Sequence, residues 1–198
     1  MAISIDDIKK RKELTGVGLT DAKIALVDAE GDFDKALEAM RKKGLTKAEK
    51  KGDRETREGL IESYVHGNRI GVIVEVNCET DFVARLPEFK EFAHQIAMQI
   101  AAMNPVYSTM EDISSDVLDA KKQELLESDS LKSKPENMRA QIVDGQLKKH
   151  FAEQVLSEQP YILDDTKTVG DHIKEQIAKS GENIRISQFK RIELGVTG

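Results

Sequence analysis

Four histidines, one cysteine and two closely spaced glutamates are the side chains of this sequence best suited to act on a substrate. His66, His94, His150 and His172 fall in four separate predicted elements. None has a second histidine or a cysteine at ligand spacing, so no metal site is expected. Cys78 closes an apolar run and has no histidine beside it in sequence. A thiol without a neighbouring base keeps its proton, and Cys78 reads as buried and inert. Glu75 and Glu79 have the spacing of an acid pair, but nothing polar converges on them in the sequence. The stretch "TGVG", residues 15–18, has the composition of a phosphate-cradling loop. It follows no strand and lies between two predicted helices, so it reads as a helix–helix turn. No enzyme site and no cofactor are expected. What remains is "NCETDFV", residues 77–83, which sets Asp81 beside Phe82 between an apolar strand and a helix marked by Pro87. A ring in a connection is unfavourable in water unless something covers it. Either the core beneath the next helix takes Phe82 and Val83, with Asp81 capping a turn, or a partner takes them.

The elements that position these residues follow from periodicity. The chain has 198 residues, 39% apolar and 33% charged, with a net charge of -6. That composition describes a globular, charged-surface protein. The negative balance argues against nucleic acid as a direct partner. The apolar runs are too short to span a bilayer, and "MAISIDDIKK" has no apolar core of a secretory signal. A single cysteine excludes an internal disulfide, and a cytoplasmic location is expected. Residues 1–44 predict three short helices. The first runs from Ser4 to Leu14, and the second carries Ala22, Ala25, Leu26 and Ala29 on one face. The third, capped by Asp32, carries Phe33, Ala36, Leu37 and Met40 and stops at Gly44. Residues 45–57 read as a solvated charged linker.

From residue 58 to 198 the pattern predicts an α+β core. Two strands flank a two-residue, glycine-first hairpin turn at Gly67 and Asn68. On the second strand Ile70, Val72, Val74 and Val76 share a face, with Ile73 on the other, and this strand is expected to be central. A helix over 87–103 buries Phe89, Phe92, Ala93, Ile96, Ala97, Ile100 and Ala101. Helices are expected over 111–128 and 135–157, a short extended piece at "QPYILDD", and a helix from Thr168 to Gly181. A last strand places Ile184, Ile186, Ile192 and Leu194 on one face, interrupted by Gln188 and Lys190. The whole is a three-stranded antiparallel sheet packed with helices. No βαβα rhythm is present, so a dinucleotide or P-loop fold is not expected.

The stretches "TGVGLTDAKIAL", "GDFDKALEAMRKKG", "VNCETDFVAR" and "EQPYILDDTKTVGDHI" resemble the bacterial translation elongation factor Ts family from about residue 3 onward. The resemblance implies an N-terminal three-helix bundle of the ubiquitin-associated type that docks on the GTPase domain of elongation factor Tu, with Leu19 and Lys23 at matching positions. It implies that Thr80, Asp81, Phe82 and Val83 push into the nucleotide region of Tu and help to dislodge its Mg²⁺, which makes the protein an exchange factor and not an enzyme. Arg11 and Lys12 depart from the family's usual apolar residue followed by Arg late in helix one. One core copy stands where longer relatives carry two, which implies a noncovalent homodimer, formed at the final strand unless Lys190 and Arg191 protect that edge. Rival readings are a ubiquitin-associated-type peptide adaptor, a hydrolase using Cys78, and a nucleic-acid chaperone using residues 41–54.

Overall fold

A computed structural model describes residues 19–30, 32–128 and 136–196. The chain forms two compact units, one made of the chain up to Ala101 with Asp171 onward, the other of Ala102–Gly170. In the first unit, helices α1 (Leu19–Asp28) and α2 (Phe33–Glu49) share a small core of Ala22, Leu26, Ala36 and Met40, flanked by Ala25 and Ala29. These are the predicted stripe residues, spaced three and four apart. Asp32 caps α2 by accepting from the Lys35 amide at 3.2 Å. The helix does not stop at Gly44 but runs on to Glu49. A mid-helix glycine costs only about 1 kcal/mol, and buried Ala48 beyond it offsets that. The predicted helix Ser4–Leu14, with Arg11 and Lys12, lies outside the described residues.

Strands β1 (Glu58–His66), β2 (Ile70–Cys78) and β5 (Ile184–Glu193) form an antiparallel sheet in the order β1–β2–β5, with β2 central as expected. Val72, Val74 and Val76 are buried on the inner face. Helix α4 (Pro87–Met103) lies on that face and buries its predicted stripe from Phe89 to Ala101. It is tied to β1 by His94 Nδ1 at 3.0 Å from Glu62 Oε1, and to β5 by Arg191 Nε donating to the Ala101 carbonyl at 3.2 Å. The hairpin turn differs from the glycine-first expectation. Gly67 and Asn68 both have positive φ, 54° and 57°, the doubly left-handed turn whose twist matches paired strands. At the far end of β1, a Cβ on Gly59 would come 2.2 Å from the Val76 carbonyl oxygen, so this close strand approach requires glycine.

The predicted one-faced stripe on the last strand is also corrected. A bulge leaves Ser187 unpaired: Val76 faces Ile186, while Glu75 faces Gln188. The extra residue reverses the alternation beyond it. Ile184 and Ile186 are buried, then Phe189 opposite Val74 and Arg191 opposite Val72 take the inner face. Ile192 is left 73% exposed and Leu194 is exposed as well. Helix α7 (Val169–Ser180) contributes buried Ile177 and His172 to this unit and ends at Gly181, whose φ is 80°.

The second unit holds helices α5 (Ser115–Glu127) and α6 (Glu136–Ala152) around Ile113, Phe151 and Val155, with Tyr107, Met110, Leu118 and Leu147 against them. The helix expected from residue 111 begins later because Asp112 accepts from the Thr109 amide at 2.7 Å and closes a separate 3-10 turn. The helix expected to reach 157 ends at Ala152. Buried Gln159 then donates to the Glu153 carbonyl at 2.8 Å. The extended piece is a small hairpin of β3 (Pro160–Tyr161) and β4 (Asp164–Thr168), with Leu163 exposed at its tip. Among the described residues no helix is long and apolar enough to cross a membrane.

Candidate functional site

Strand β2 delivers the chain to residues 78–84. Cys78 is buried, and its Sγ donates to the Thr80 carbonyl at 3.1 Å. Burial first, and then the negative charge of Glu182, push the thiol up to about 11. It stays protonated near neutrality, which makes a nucleophilic role chemically unfavourable. Thr80 is extended, with φ -130° and ψ 153°, and its hydroxyl accepts from the Val83 amide as the cap of a four-residue helix, α3 (Asp81–Ala84).

One helical turn separates the fates of adjacent side chains, because neighbours point about 100° apart. Val83 and Ala84 turn inward and are buried, Val83 at 5% exposure. Phe82 turns outward and is 72% exposed. Asp81 is also on the solvent side, its carboxylate 2.8 Å from the Arg85 guanidinium. An exposed pair of this kind contributes about 1 kcal/mol at most. Of the two fates open to this segment, Val83 takes the core and Phe82 does not.

The backbone that carries Phe82 is held from elsewhere in the chain. Glu182 accepts the amides of Glu79 and Thr80 on Oε2, at 3.1 and 3.0 Å, and the Thr80 hydroxyl on Oε1 at 2.7 Å. Next to it, the Asn183 amide donates to Glu79 Oε1 at 2.6 Å, and Arg54 lies 3.4 Å from the same oxygen. The Asn183 side chain, only 1% exposed, donates to the carbonyls of Gly52 and Arg54 at 3.1 and 2.8 Å. Lys51 Nζ reaches the Gly181 carbonyl at 2.6 Å. Three segments, 51–54, 79–80 and 181–183, thus share one polar knot behind α3. Glu182 and Asn183 were not legible as site residues. The only signal was "SGEN", a helix-stop glycine followed by two polar residues, which is common in ordinary loops.

The reading that nothing polar converges on Glu75 and Glu79 is corrected. Glu79 takes the Asn183 amide and Arg54, as above. Glu75 accepts from Gln188 at 2.8 Å and Asn77 at 3.0 Å, which lowers its pKa. Both carboxylates hold structure together, and they do not face each other as an acid–base pair. The histidines are dispersed as well. His66 meets the Tyr64 hydroxyl at 2.9 Å, His172 meets Gln95 at 3.3 Å, and the His150 ring meets Phe151 with centroids 5.0 Å apart. Among the described residues no three potential ligands could hold a metal ion. On α1, Lys23 is exposed, and Leu19 begins the helix.

A second exposed apolar feature lies on the outer face of the sheet. Ile61 and Val65 on β1, Ile73 on β2 and Ile192 on β5 all face away from α4 and are at least half exposed.

Residues 47–196 match the family model described as Elongation factor TS. A protein of Thermotoga petrophila named Elongation factor Ts is 54% identical over 196 residues, covering 98% of each chain. Its namesake in Thermotoga neapolitana is 52% identical over 199 residues, covering both chains fully. One from Desulfosudis oleivorans is 49% identical over 194 residues, covering 98% of each chain.

Proposed function

The chain belongs to the elongation factor Ts family, the nucleotide exchange factors of elongation factor Tu, and on that premise we propose that the Thr80–Val83 segment is the part that acts on the nucleotide site. The observation that carries this reading is Phe82. It is a large apolar ring 72% exposed on a turn whose next two residues are buried and whose backbone is fixed by the Glu182 carboxylate. A ring held out of its own core on a fixed support suits insertion into a partner.

Exchange requires no covalent step. The protein must bind nucleotide-free Tu more tightly than Tu with GDP. Shifting a two-state equilibrium from 1:99 to 99:1 takes about 5.5 kcal/mol of differential affinity. Burying one phenylalanine supplies roughly 1.5–3 kcal/mol. Phe82 therefore carries part of the difference, and other contacts must carry the rest. Asp81 brings a negative charge beside the ring, suited to disturbing the Mg²⁺ that Tu holds with GDP. Val83 anchors the turn from below. The remaining affinity is assigned to the N-terminal three-helix bundle of ubiquitin-associated type, docking through Leu19 and Lys23. By linkage, GDP weakens binding to Tu by the same factor by which this protein weakens GDP binding.

The protein acts by binding, not as an enzyme, in the cytoplasm, and as a homodimer. The exposed isoleucines and valine of the outer sheet face, interspersed with Ser63, Glu75, Gln188 and Lys190, support pairing with the same face of a second copy. Release of labelled GDP from Tu, with and without this protein, tests the reading. Release at the unassisted rate overturns it.

A further inference from the structure

Glu182 is far from Phe82 in sequence, yet it holds the residues from which the ring projects. We infer that Glu182 is the positioning residue of the exchange segment, and that the Gly181–Asn183 turn is the fixed base against which Phe82 is aimed. This rests on the assignment of Thr80–Val83 as the acting segment.

Four residues make one turn, and such a turn has almost no stability of its own, because nucleation fixes several residues for one hydrogen bond. Its cap, Thr80, offers a weak hold on the Val83 amide, at 3.4 Å. Buried Val83 and Ala84 set which side of α3 faces the core, and the direction of Phe82 then depends on what fixes Glu79 and Thr80, where the turn starts. A carboxylate accepting two backbone amides and one hydroxyl satisfies three donors at once, and charge-assisted bonds of this kind are stronger than neutral ones. Glu182 itself is held in place. It follows Gly181, whose left-handed backbone is bonded through its carbonyl to Lys51, and precedes Asn183, whose side chain and amide make three bonds of their own. The base is thus tied on one side to β2 and on the other to the chain leaving α2. A ring aimed from a rigid base enters a partner's cleft without first losing freedom, and that saving appears in the rate of the exchange step.

Three measurements on the full chain test this. In Glu182→Ala, amide hydrogen exchange at Glu79 and Thr80 is expected to speed up by about tenfold or more, whatever Tu does. With Tu and labelled GDP, the maximal release rate is expected to fall by about tenfold while the half-saturating concentration moves less than about twofold. Glu182→Gln retains one carbonyl acceptor for the amides and a group to meet the Thr80 hydroxyl, and it is expected to restore most of the rate. Combining Glu182→Ala with Phe82→Ala should add no further loss, since the base acts through the ring. Unchanged protection of the two amides overturns the inference, as does additive loss in the double variant or a failure of Glu182→Gln to rescue. If Phe82→Ala alone leaves release untouched, the assignment of the acting segment fails instead. The amide exchange of Glu182→Ala then still decides whether Glu182 fixes the turn.

Discussion

Phe82 stands alone on a single helical turn, whereas Ile61, Val65, Ile73 and Ile192 spread over one face of a three-stranded sheet. Both regions hold apolar side chains in water, but their supports differ. The ring depends on a polar knot assembled from three separate segments. The sheet residues need no such device, because β1–β2 pairing from His66 opposite Ile70 to Glu58 opposite Cys78, and β2–β5 pairing with Ile192 opposite Gly71, already fix them. A single ring on an aimed support is shaped to enter a cleft, where a small displacement changes the outcome. A flat patch gains in proportion to area and tolerates small shifts. The first geometry suits an action on a partner and the second suits lasting association.

The comparison can be broken most directly at the ring. Phe82→Ala is expected to slow GDP release from Tu by about ten- to a hundredfold, the equivalent of burying one phenylalanine, with the thermal midpoint unchanged. A large drop in the midpoint with normal release would return the ring to the core. The flat patch should respond differently. Ile73→Lys, at the centre of the outer face, is expected to weaken self-association by about tenfold or more while leaving stimulated release from Tu nearly intact. Sedimentation equilibrium at micromolar concentration reads this, and a wild-type chain that sediments as a monomer throughout removes the dimer altogether. Val83→Ala sharpens the contrast within α3 itself. Loss of a buried valine should cost about 2 kcal/mol in denaturant unfolding and alter release less than Phe82→Ala. A larger effect on release than that of Phe82→Ala would reverse their roles. The smallest effect concerns Cys78. Its thiol is pushed above the ordinary value of 9.0 to about 11, so alkylation of the folded protein near pH 8 should be far slower than after unfolding. Because the folded value is the higher one, the stability linked to this thiol is fully present below pH 9 and is lost as the pH rises toward 11. Rapid labelling at pH 8, with stability unaffected by rising pH, would show the thiol to be accessible.

Much of this was legible where one element decides its own pattern. The alternation of Val72, Val74 and Val76 marks the covered face of β2, because only a strand with a covered face keeps that spacing. The stripe from Phe89 to Ala101 defines α4, and Gly181 stops α7, for equally local reasons. The last strand was legible only up to Ile186. The bulge at Ser187 arises from pairing with β2, and no alternation within the strand announces it. Gly44 reads as a helix stop, but the helix runs past it to bury Ala48. The site itself was half legible. "TDFV" marks the candidate segment, but which residue is buried depends on how α3 is turned, and that is set by the core beneath Val83 and Ala84 together with a carboxylate a hundred positions away.

That separation has a consequence for the order of folding. The contacts of Glu182 with Thr80 span 102 residues, and those of Asn183 with Gly52 span 131. The β1–β2 hairpin is local and can form early, whereas long-range closure is entropically demanding and comes late. A chain made from its N-terminus therefore displays Phe82 well before the turn that aims it exists. During that interval the segment is a loosely held aromatic on a hairpin, without the geometry for partner insertion. If Phe82 acts as proposed, competence follows only when the third strand pairs with β2 and brings Glu182 with it, and the segment then also reports that the rest of its own unit has closed.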